Sequence, residues 1–238
     1  MCLDLFGTIV FFDPDRLPRR SIAGMDRVVT VTGIDELLAA VAPGVTLAAF
    51  LEAVTDASAS IGREKQADFR EVPTAERYAR ALSALGARDG VASVAALMAQ
   101  RHMASLAGAV VCPPGRAALI RALASRYPLA LVSNFDHGDA ARRLLDRFGL
   151  SSSFGSIRIS AEVGVMKPAA EIFLAACRDL EVVPADAVHV GDSMTADVKG
   201  ANDAGLRALW IGSGPADGAM GSVADLADLP RWLSDRYG

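Results

Sequence analysis

Two hydrophobic patterns divide the chain. Between about residues 33 and 108, apolar residues recur at helical spacing, and no alternating strand pattern interrupts them. This spacing predicts a bundle of amphipathic helices. Thr74 is expected to cap the third helix and Gly86 to end it. The segments are IDELLAAVA, LAAFLEAVTDA, AERYARALSALG and VASVAALMAQRHMASLAG.

From Cys112 onward, short apolar runs alternate with amphipathic helical segments. Alternation of this kind predicts a parallel sheet with helices on both faces. Strands covered on both faces are continuously apolar, as these runs are. The predicted strands are LALVS, SIRIS, AVHVG and LRALWIG.

A further short apolar run, MCL, precedes the helical block. The simplest assembly places it in the same sheet and makes the helical block an insertion. We therefore predict an α/β fold, a doubly wound parallel sheet formed by residues 1–13 and 112–238. Residues 14–111 are predicted to form a flap and a helical cap, with a short hairpin between about 10 and 31.

Composition and charge narrow the functional classes. Of the 238 residues, 52% are hydrophobic, and the net charge of −4 argues against a basic nucleic-acid-binding surface. The three cysteines lack metal-ligand spacing, which favours a reducing, cytoplasmic location. No apolar run of about 18 residues and no signal-peptide pattern occurs, so no membrane partner is expected.

Polar side chains follow the predicted strands at one edge. Ligands of open parallel sheets bind outside the carboxyl ends of the strands, so these side chains are expected to share one rim. They are Asp4, Ser133, Asn134, Lys167, Asp192 and Asp197.

The segments DLFGT, VSN, SAEVGVMKP and GDSMTAD carry this set. In order and spacing they resemble the four motifs of the haloacid dehalogenase-like (HAD) hydrolase superfamily. The helical insertion between the first two motifs resembles the cap domain of such enzymes. The resemblance implies a Rossmann-like core and hydrolase activity.

The resemblance also implies roles for the rim residues. Asp4 is expected to be the nucleophile, since a carboxylate can form a covalent intermediate that water hydrolyses. Thr8 and Ser133 are expected to donate hydrogen bonds to the transferring group, and Lys167 to neutralise it. Asn134 is assigned to substrate binding with Ser133 and Lys167, and is expected to orient its loop.

The charges at this rim predict a metal. Asp4, Asp192 and Asp197 bring three negative charges, Lys167 returns one, and a phosphate monoester adds about two. Two like charges ~4 Å apart cost about 4 kcal/mol at an effective dielectric near 20. Mg²⁺ suits carboxylates and a substrate phosphate. The resemblance adds the backbone carbonyl of Phe6 as a further ligand.

Phe6 leaves alternatives open. Phosphatases of this superfamily usually carry an aspartate there as general acid and base, whereas its dehalogenases carry an aromatic residue and lack the acid that Asp192 supplies. Loss of such an acid costs roughly 10²–10⁴-fold. We favour a Mg²⁺-dependent phosphatase acting on a small phosphorylated metabolite through an aspartyl-phosphate. The alternatives are a metal-independent 2-haloacid dehalogenase and a weakly active phosphate-binding protein.

Two further residues have expected structural roles. His189 lies within the predicted strand AVHVG and is expected to be a satisfied core histidine. Glu162 is expected to hold Lys167 by an ion pair. The sequence indicates no oligomeric state.

Overall fold

The computed structural model describes residues 1–22 and 24–237, so Ala23 of the predicted hairpin and Gly238 of the predicted core lie outside the described residues. The chain forms two compact units. One comprises Met1–Phe12 and Val111–Gly238, and the other comprises Asp13–Val110. The boundaries predicted from the sequence, after residues 13 and 111, each lie one residue from those of the structure.

The first unit contains a six-stranded sheet in the order β10-β9-β8-β1-β6-β7. Every neighbouring pair in it is parallel, which confirms the predicted α/β class. Its strands are β1 (Cys2–Leu3), β6 (Ala130–Ser133), β7 (Ser156–Ile159), β8 (Val188–Gly191), β9 (Arg207–Ile211) and β10 (Ser222–Val223). The other strands form two-stranded sheets and are β2 (Phe11–Phe12), β3 (Arg19–Ile22), β4 (Met25–Val28) and β5 (Val110–Val111).

Strand β1 is short and belongs to the main sheet, as predicted, where it lies between β8 and β6. Cys2 pairs with Ala130 of β6 on one side and with His189 of β8 on the other. The backbone N–H of Asp4 also donates to the carbonyl of Val190, 3.0 Å away. Pairing on both sides stabilises β1, because a segment of two residues is too short to be stable as a strand without such neighbours.

Helices of the first unit follow the sheet strands, and apolar residues of α8 such as Phe173 are fully buried in the core. None of the described helices is long and apolar enough to cross a bilayer. The helices of the first unit are α5 (Arg116–Ala124), α6 (Gly138–Arg147), α7 (Ser160–Val163), α8 (Ala170–Asp179), α9 (Gly200–Asp203) and α10 (Leu229–Tyr237).

The segment TADVKGANDAG, one of the amphipathic helical segments predicted after Cys112, is not a regular helix. Met194–Lys199 forms a π-helical turn, and α9 continues from it. The N–H groups of Asp197 and Val198 both donate to the Ser193 carbonyl, which widens the turn. Single π turns of this kind are frequent at functional sites.

The second unit contains the predicted helices, packed around a buried apolar cluster that includes Phe50 and Met98. They are α1 (Ile34–Val41), α2 (Leu47–Asp68), α3 (Thr74–Ala84) and α4 (Val91–Ala109). Strands β3 and β4 pair antiparallel within residues 10–31, where a hairpin was predicted.

The predicted ends of α3 are right at one terminus and wrong at the other. Pro73 is the N-cap, and Thr74 is already the first helical residue, because extended Pro73 precedes it. Gly86 follows the helix with φ +87°, a left-handed conformation that glycine adopts without strain. The stop at Gly86 is therefore confirmed.

Candidate active site

Three neighbouring strands bring the predicted polar residues to one edge. Asp4 follows β1, Ser133 ends β6, and Asp192 follows β8. Because β8, β1 and β6 are adjacent and parallel, their carboxyl ends lie side by side. The sheet order thus explains how residues far apart in sequence meet.

Lys167 lies between two aspartates. Its ammonium Nζ donates to Asp4 Oδ1 and to Asp197 Oδ1, each at 2.6 Å. All three side chains are buried. A buried charge is stabilised by paired and hydrogen-bonded partners, so these two contacts hold the Lys167 ammonium in place and orient the Asp4 carboxylate.

Asn134 holds the backbone that carries Lys167. Its Nδ2 donates to the Lys167 carbonyl at 2.9 Å, and its Oδ1 accepts from the Lys167 N–H at 2.7 Å. This paired contact explains how a loop residue can present its ammonium in a fixed position. A direct role of Asn134 in substrate binding stays a prediction.

Burial sets the protonation of the nucleophile candidate. It raises the pKa of Asp4 to about 7, although Lys167 acts in the opposite direction. Burial alone would lower the pKa of Lys167, but the charges of Asp4 and Asp197 raise it, so Lys167 stays an ammonium. A further cation beside Asp4 would favour the ionised carboxylate, the form that can attack.

Asp197 is held by three donors. Its Oδ1 accepts from Lys167 and lies 2.7 Å from His189 Nε2, and its Oδ2 accepts from the Ser193 N–H at 2.9 Å. A carboxylate can only accept, so His189 donates from Nε2. Burial opposes ionisation, but Lys167 and the hydrogen bond from His189 hold the pKa of Asp197 well below its usual range.

Asp4, Asp192 and Asp197 each place a carboxylate oxygen within 4.8 Å of the others. Partial burial, and then the charge of Asp197, raise the pKa of Asp192, and the charge of Asp197 acts on the pKa of Asp4 in the same direction. A bound divalent cation removes that penalty, and oxygen ligands of this type suit Mg²⁺. The residues therefore fit the predicted metal. Ligation by the Phe6 carbonyl stays a prediction.

Two glycines allow the acids to converge. A Cβ on Gly7 would lie 2.3 Å from Asp192 Oδ2, and a Cβ on Gly191 would lie 2.3 Å from Asp197 Cγ. Gly7 also has φ +82°. Neither position tolerates a larger residue without moving an acid, a constraint that residue spacing does not reveal.

Thr8 and Ser133 carry hydroxyls with an unmet hydrogen-bonding capacity. Within residues 1–22 and 24–237, both hydroxyl oxygens are buried and have no hydrogen-bond partner. A buried unpaired hydroxyl is costly, so such groups usually have a partner such as water or a ligand. The predicted use of both hydroxyls as donors to a phosphoryl group would satisfy them.

The Phe6 side chain lies within a stack of three aromatic rings. Its ring centroid is 4.9 Å from that of Phe12 and 4.9 Å from that of Phe135, with interplanar angles of 5° and 29°. An apolar ring therefore occupies the position where an acid would serve as proton donor.

One predicted contact is wrong and one residue was underestimated. Glu162 does not pair with Lys167: both of its carboxylate oxygens accept from Arg142 at 2.7 Å, because two buried aspartates already surround the ammonium. His189 is buried, as predicted, and its Nε2 contacts Asp197, but within the described residues its Nδ1 has no hydrogen-bond partner, so it is not the fully satisfied core histidine that was expected. The sequence feature that indicated this contact was a polar residue inside the otherwise apolar strand AVHVG.

Replacing Lys167 with methionine is expected to lower the free energy of unfolding by about 3 kcal/mol, since it leaves two buried carboxylates without their counter-charge. Urea denaturation at neutral pH in the presence of a chelator measures this loss. Lys199→Met is the control, because it removes the exposed Lys199–Asp203 pair, for which a loss below ~1 kcal/mol is expected. Equal losses in the two variants would contradict the assigned contacts.

A parallel α/β core with a carboxylate nucleophile candidate and an acidic cluster at its carboxyl edge defines a class of hydrolases. The model of the haloacid dehalogenase-like hydrolase family matches residues 1–205. The chain belongs to that family.

Among characterised proteins, the chain is similar to two phosphatases. It is 38% identical over 102 residues to a phosphoserine phosphatase of Thermus thermophilus, covering 43% of this chain and 41% of that protein. It is 44% identical over 70 residues to a glyceraldehyde 3-phosphate phosphatase of Methanopyrus kandleri, covering 29% and 30%. The chain thus spans less than half the length of these relatives.

Among solved structures, a 2-haloacid dehalogenase from Pseudomonas syringae matches with a TM-score of 0.72 and 22% identity, over 98% of this chain and 97% of that one. A HAD phosphatase from Thermococcus onnurineus matches with a TM-score of 0.56 and 21% identity, over 98% and 96%. At these identities the likeness shows the fold alone.

Proposed function

We propose that the protein is a Mg²⁺-dependent phosphatase that hydrolyses a small phosphorylated metabolite through an aspartyl-phosphate on Asp4. The observation that carries the proposal is the convergence of Asp4, Asp192 and Asp197 within 4.8 Å beside the ammonium of Lys167. This net negative cluster would repel a phosphate unless a cation is bound. The similarity to two phosphatases supports the same reaction.

The residues of the chain divide the chemistry. A carboxylate oxygen of Asp4 attacks phosphorus, the bond to the leaving oxygen breaks, and water later cleaves the aspartyl-phosphate to free phosphate. Lys167 holds Asp4 in place, while Thr8 and Ser133 donate to phosphoryl oxygens. Bound Mg²⁺ would supply the positive charge that offsets the acids and the phosphate. Asp197 fixes Lys167 through their shared hydrogen bond.

We assign catalysis to residues 1–13 and 112–238, and substrate selection to the flap and cap at 14–111. A cytoplasmic location remains part of the proposal, on the ground of three cysteines that are all unpaired.

Phosphate release from acetyl phosphate in magnesium buffer tests the activity. We expect a chelator to abolish it and Asp192→Ala to lower it at least ~10²-fold, because the acids then lose their shared cation. Asp203→Ala, which removes an exposed acid of the same segment, is expected to retain activity. Chelator-resistant activity would refute metal dependence.

Gly7→Ala is expected to weaken Mg²⁺ binding, because the added Cβ would displace Asp192. Calorimetric titration with Mg²⁺ measures the change, for which we expect a loss of about tenfold or more. Gly149→Ala is the control: Gly149 also has a positive φ, +64°, but a Cβ there meets nothing within 4 Å. Both variants carry backbone strain of about 1–2 kcal/mol, so only the loss specific to Gly7→Ala supports the metal site.

A second candidate is a metal-independent 2-haloacid dehalogenase, which the aromatic residue at position 6 favours. Its reaction would displace halide from a 2-haloacid by attack of Asp4 on carbon. Halide release from 2-chloropropionate in the presence of chelator would establish this candidate in place of the phosphatase.

A further inference from the structure

The three-ring stack Phe12–Phe6–Phe135 is a fixed feature beside the nucleophile candidate. Phe6 lies two residues after Asp4, and its ring has an aromatic neighbour on each side at 4.9 Å. A bridge between Phe6 and Val10 and a hydrogen bond from the Gly7 N–H to the Val10 carbonyl at 2.9 Å fix the turn that carries it. These contacts hold the partly buried ring of Phe6 in its place beside Asp4.

This stack leaves the leaving group without a proton donor at position 6. A leaving group that departs unprotonated must be stable as an anion. Aryl oxides meet this requirement, whereas simple alkoxides do not.

Phe12 adds a surface for such a group. One face of its ring lies parallel to Phe6, and the residue is 43% exposed although it is large and apolar. Flat aromatic groups stack on such rings in offset arrangements. The unpartnered hydroxyls of Thr8 and Ser133, in the same unit, suit the phosphoryl end of the same ligand.

We propose that the substrates are aryl phosphates, monoesters whose aromatic leaving group stacks on the ring of Phe12. The proposal rests on the proposed phosphatase function. In the first step the bond between phosphorus and the aryl oxygen breaks, the aryl oxide takes the electron pair, and Asp4 becomes phosphorylated. Water then displaces Asp4 from phosphorus, giving inorganic phosphate.

Binding of two non-hydrolysable ligands tests this class without requiring turnover. Calorimetric titration in magnesium buffer compares phenylphosphonate, which carries a ring, with methylphosphonate, which carries none. We expect the wild-type protein to bind phenylphosphonate about three- to tenfold more tightly, the range that one aromatic pair contributes. Phe12→Leu keeps an apolar side chain but removes the ring, and is expected to abolish this preference while leaving methylphosphonate binding unchanged.

Phe11→Leu is the matched control, since Phe11 lies in the same strand outside the stack, and it is expected to keep the preference. No preference in the wild-type protein, no binding of either phosphonate, or a preference that survives Phe12→Leu would each overturn the proposal. Failure of the phosphatase function appears separately, as absence of phosphate release from acetyl phosphate.

Discussion

Replacing Asp4 with asparagine is expected to reduce phosphate release by at least ~10⁴-fold. Asparagine has the same shape and its amide oxygen can still accept from Lys167, but it cannot form the phosphorylated intermediate. Phosphate release in magnesium buffer measures the loss, and mass spectrometry of wild-type protein quenched in acid detects the phosphorylated Asp4.

The control for this variant is Asp203→Asn, which makes the same chemical change at an exposed position and is expected to keep full activity. Comparable unfolding midpoints for Asp4→Asn and wild type establish that the fold is intact. Activity of Asp4→Asn above about one per cent would show that another group performs the attack, and would remove the basis of the proposed mechanism.

Replacing Phe6 with aspartate is expected to raise turnover of an alkyl phosphate such as glycerol phosphate by about 10²-fold. The new carboxyl group would protonate the poor leaving group and later activate water, a contribution of roughly 10²–10⁴-fold. The lower end applies because the substitution also removes the central ring of the stack. Initial rates with glycerol phosphate and with an aryl phosphate give the two effects side by side.

Phe6→Asn is the matched control, since asparagine has nearly the same shape and polarity as aspartate but has no carboxyl group to give or take a proton. We expect it to lack the gain on glycerol phosphate, whereas both variants should lose aryl phosphate turnover to a similar extent, because each removes the ring that supports Phe12. Equal behaviour of Phe6→Asp and Phe6→Asn would mean that the missing acid is not what limits alkyl esters.

The sheet and the candidate site at its carboxyl edge could be predicted because local sequence patterns indicate both. Each of the four- and five-residue strands of the main sheet lies within a mostly apolar segment of the sequence. Asp4, Ser133 and Asp192 come at the ends of such segments. Parallel strands share one carboxyl edge, so spacing alone places these side chains together. Even β1, two residues long, follows from this logic, because the sheet needs a strand before Asp4.

The remaining features depend on contacts between distant residues. Strand β10 has two residues, too few for any periodicity. Helix α2 extends to Asp68, beyond the apolar pattern, because Ala, Glu, Lys and Gln favour helix without needing an apolar face. Two further contacts join residues more than thirty positions apart, and no local pattern encodes them. They are the hydrogen bonds of the Asn134 side chain to the Lys167 backbone and the close approach of Gly7 to Asp192.

The placement of β1 between β6 and β8 also sets an order of events during synthesis. Residues 13–110 are contiguous and can fold once they leave the ribosome, whereas β1 gains one sheet neighbour with β6 and its second, β8, only at Gly191. At about 5–20 residues per second, this delay is roughly ten to forty seconds. A nascent chain halted before residue 188 is therefore expected to hold a folded helical unit while residues 1–10 lack one of their two sheet neighbours and are more open to proteases.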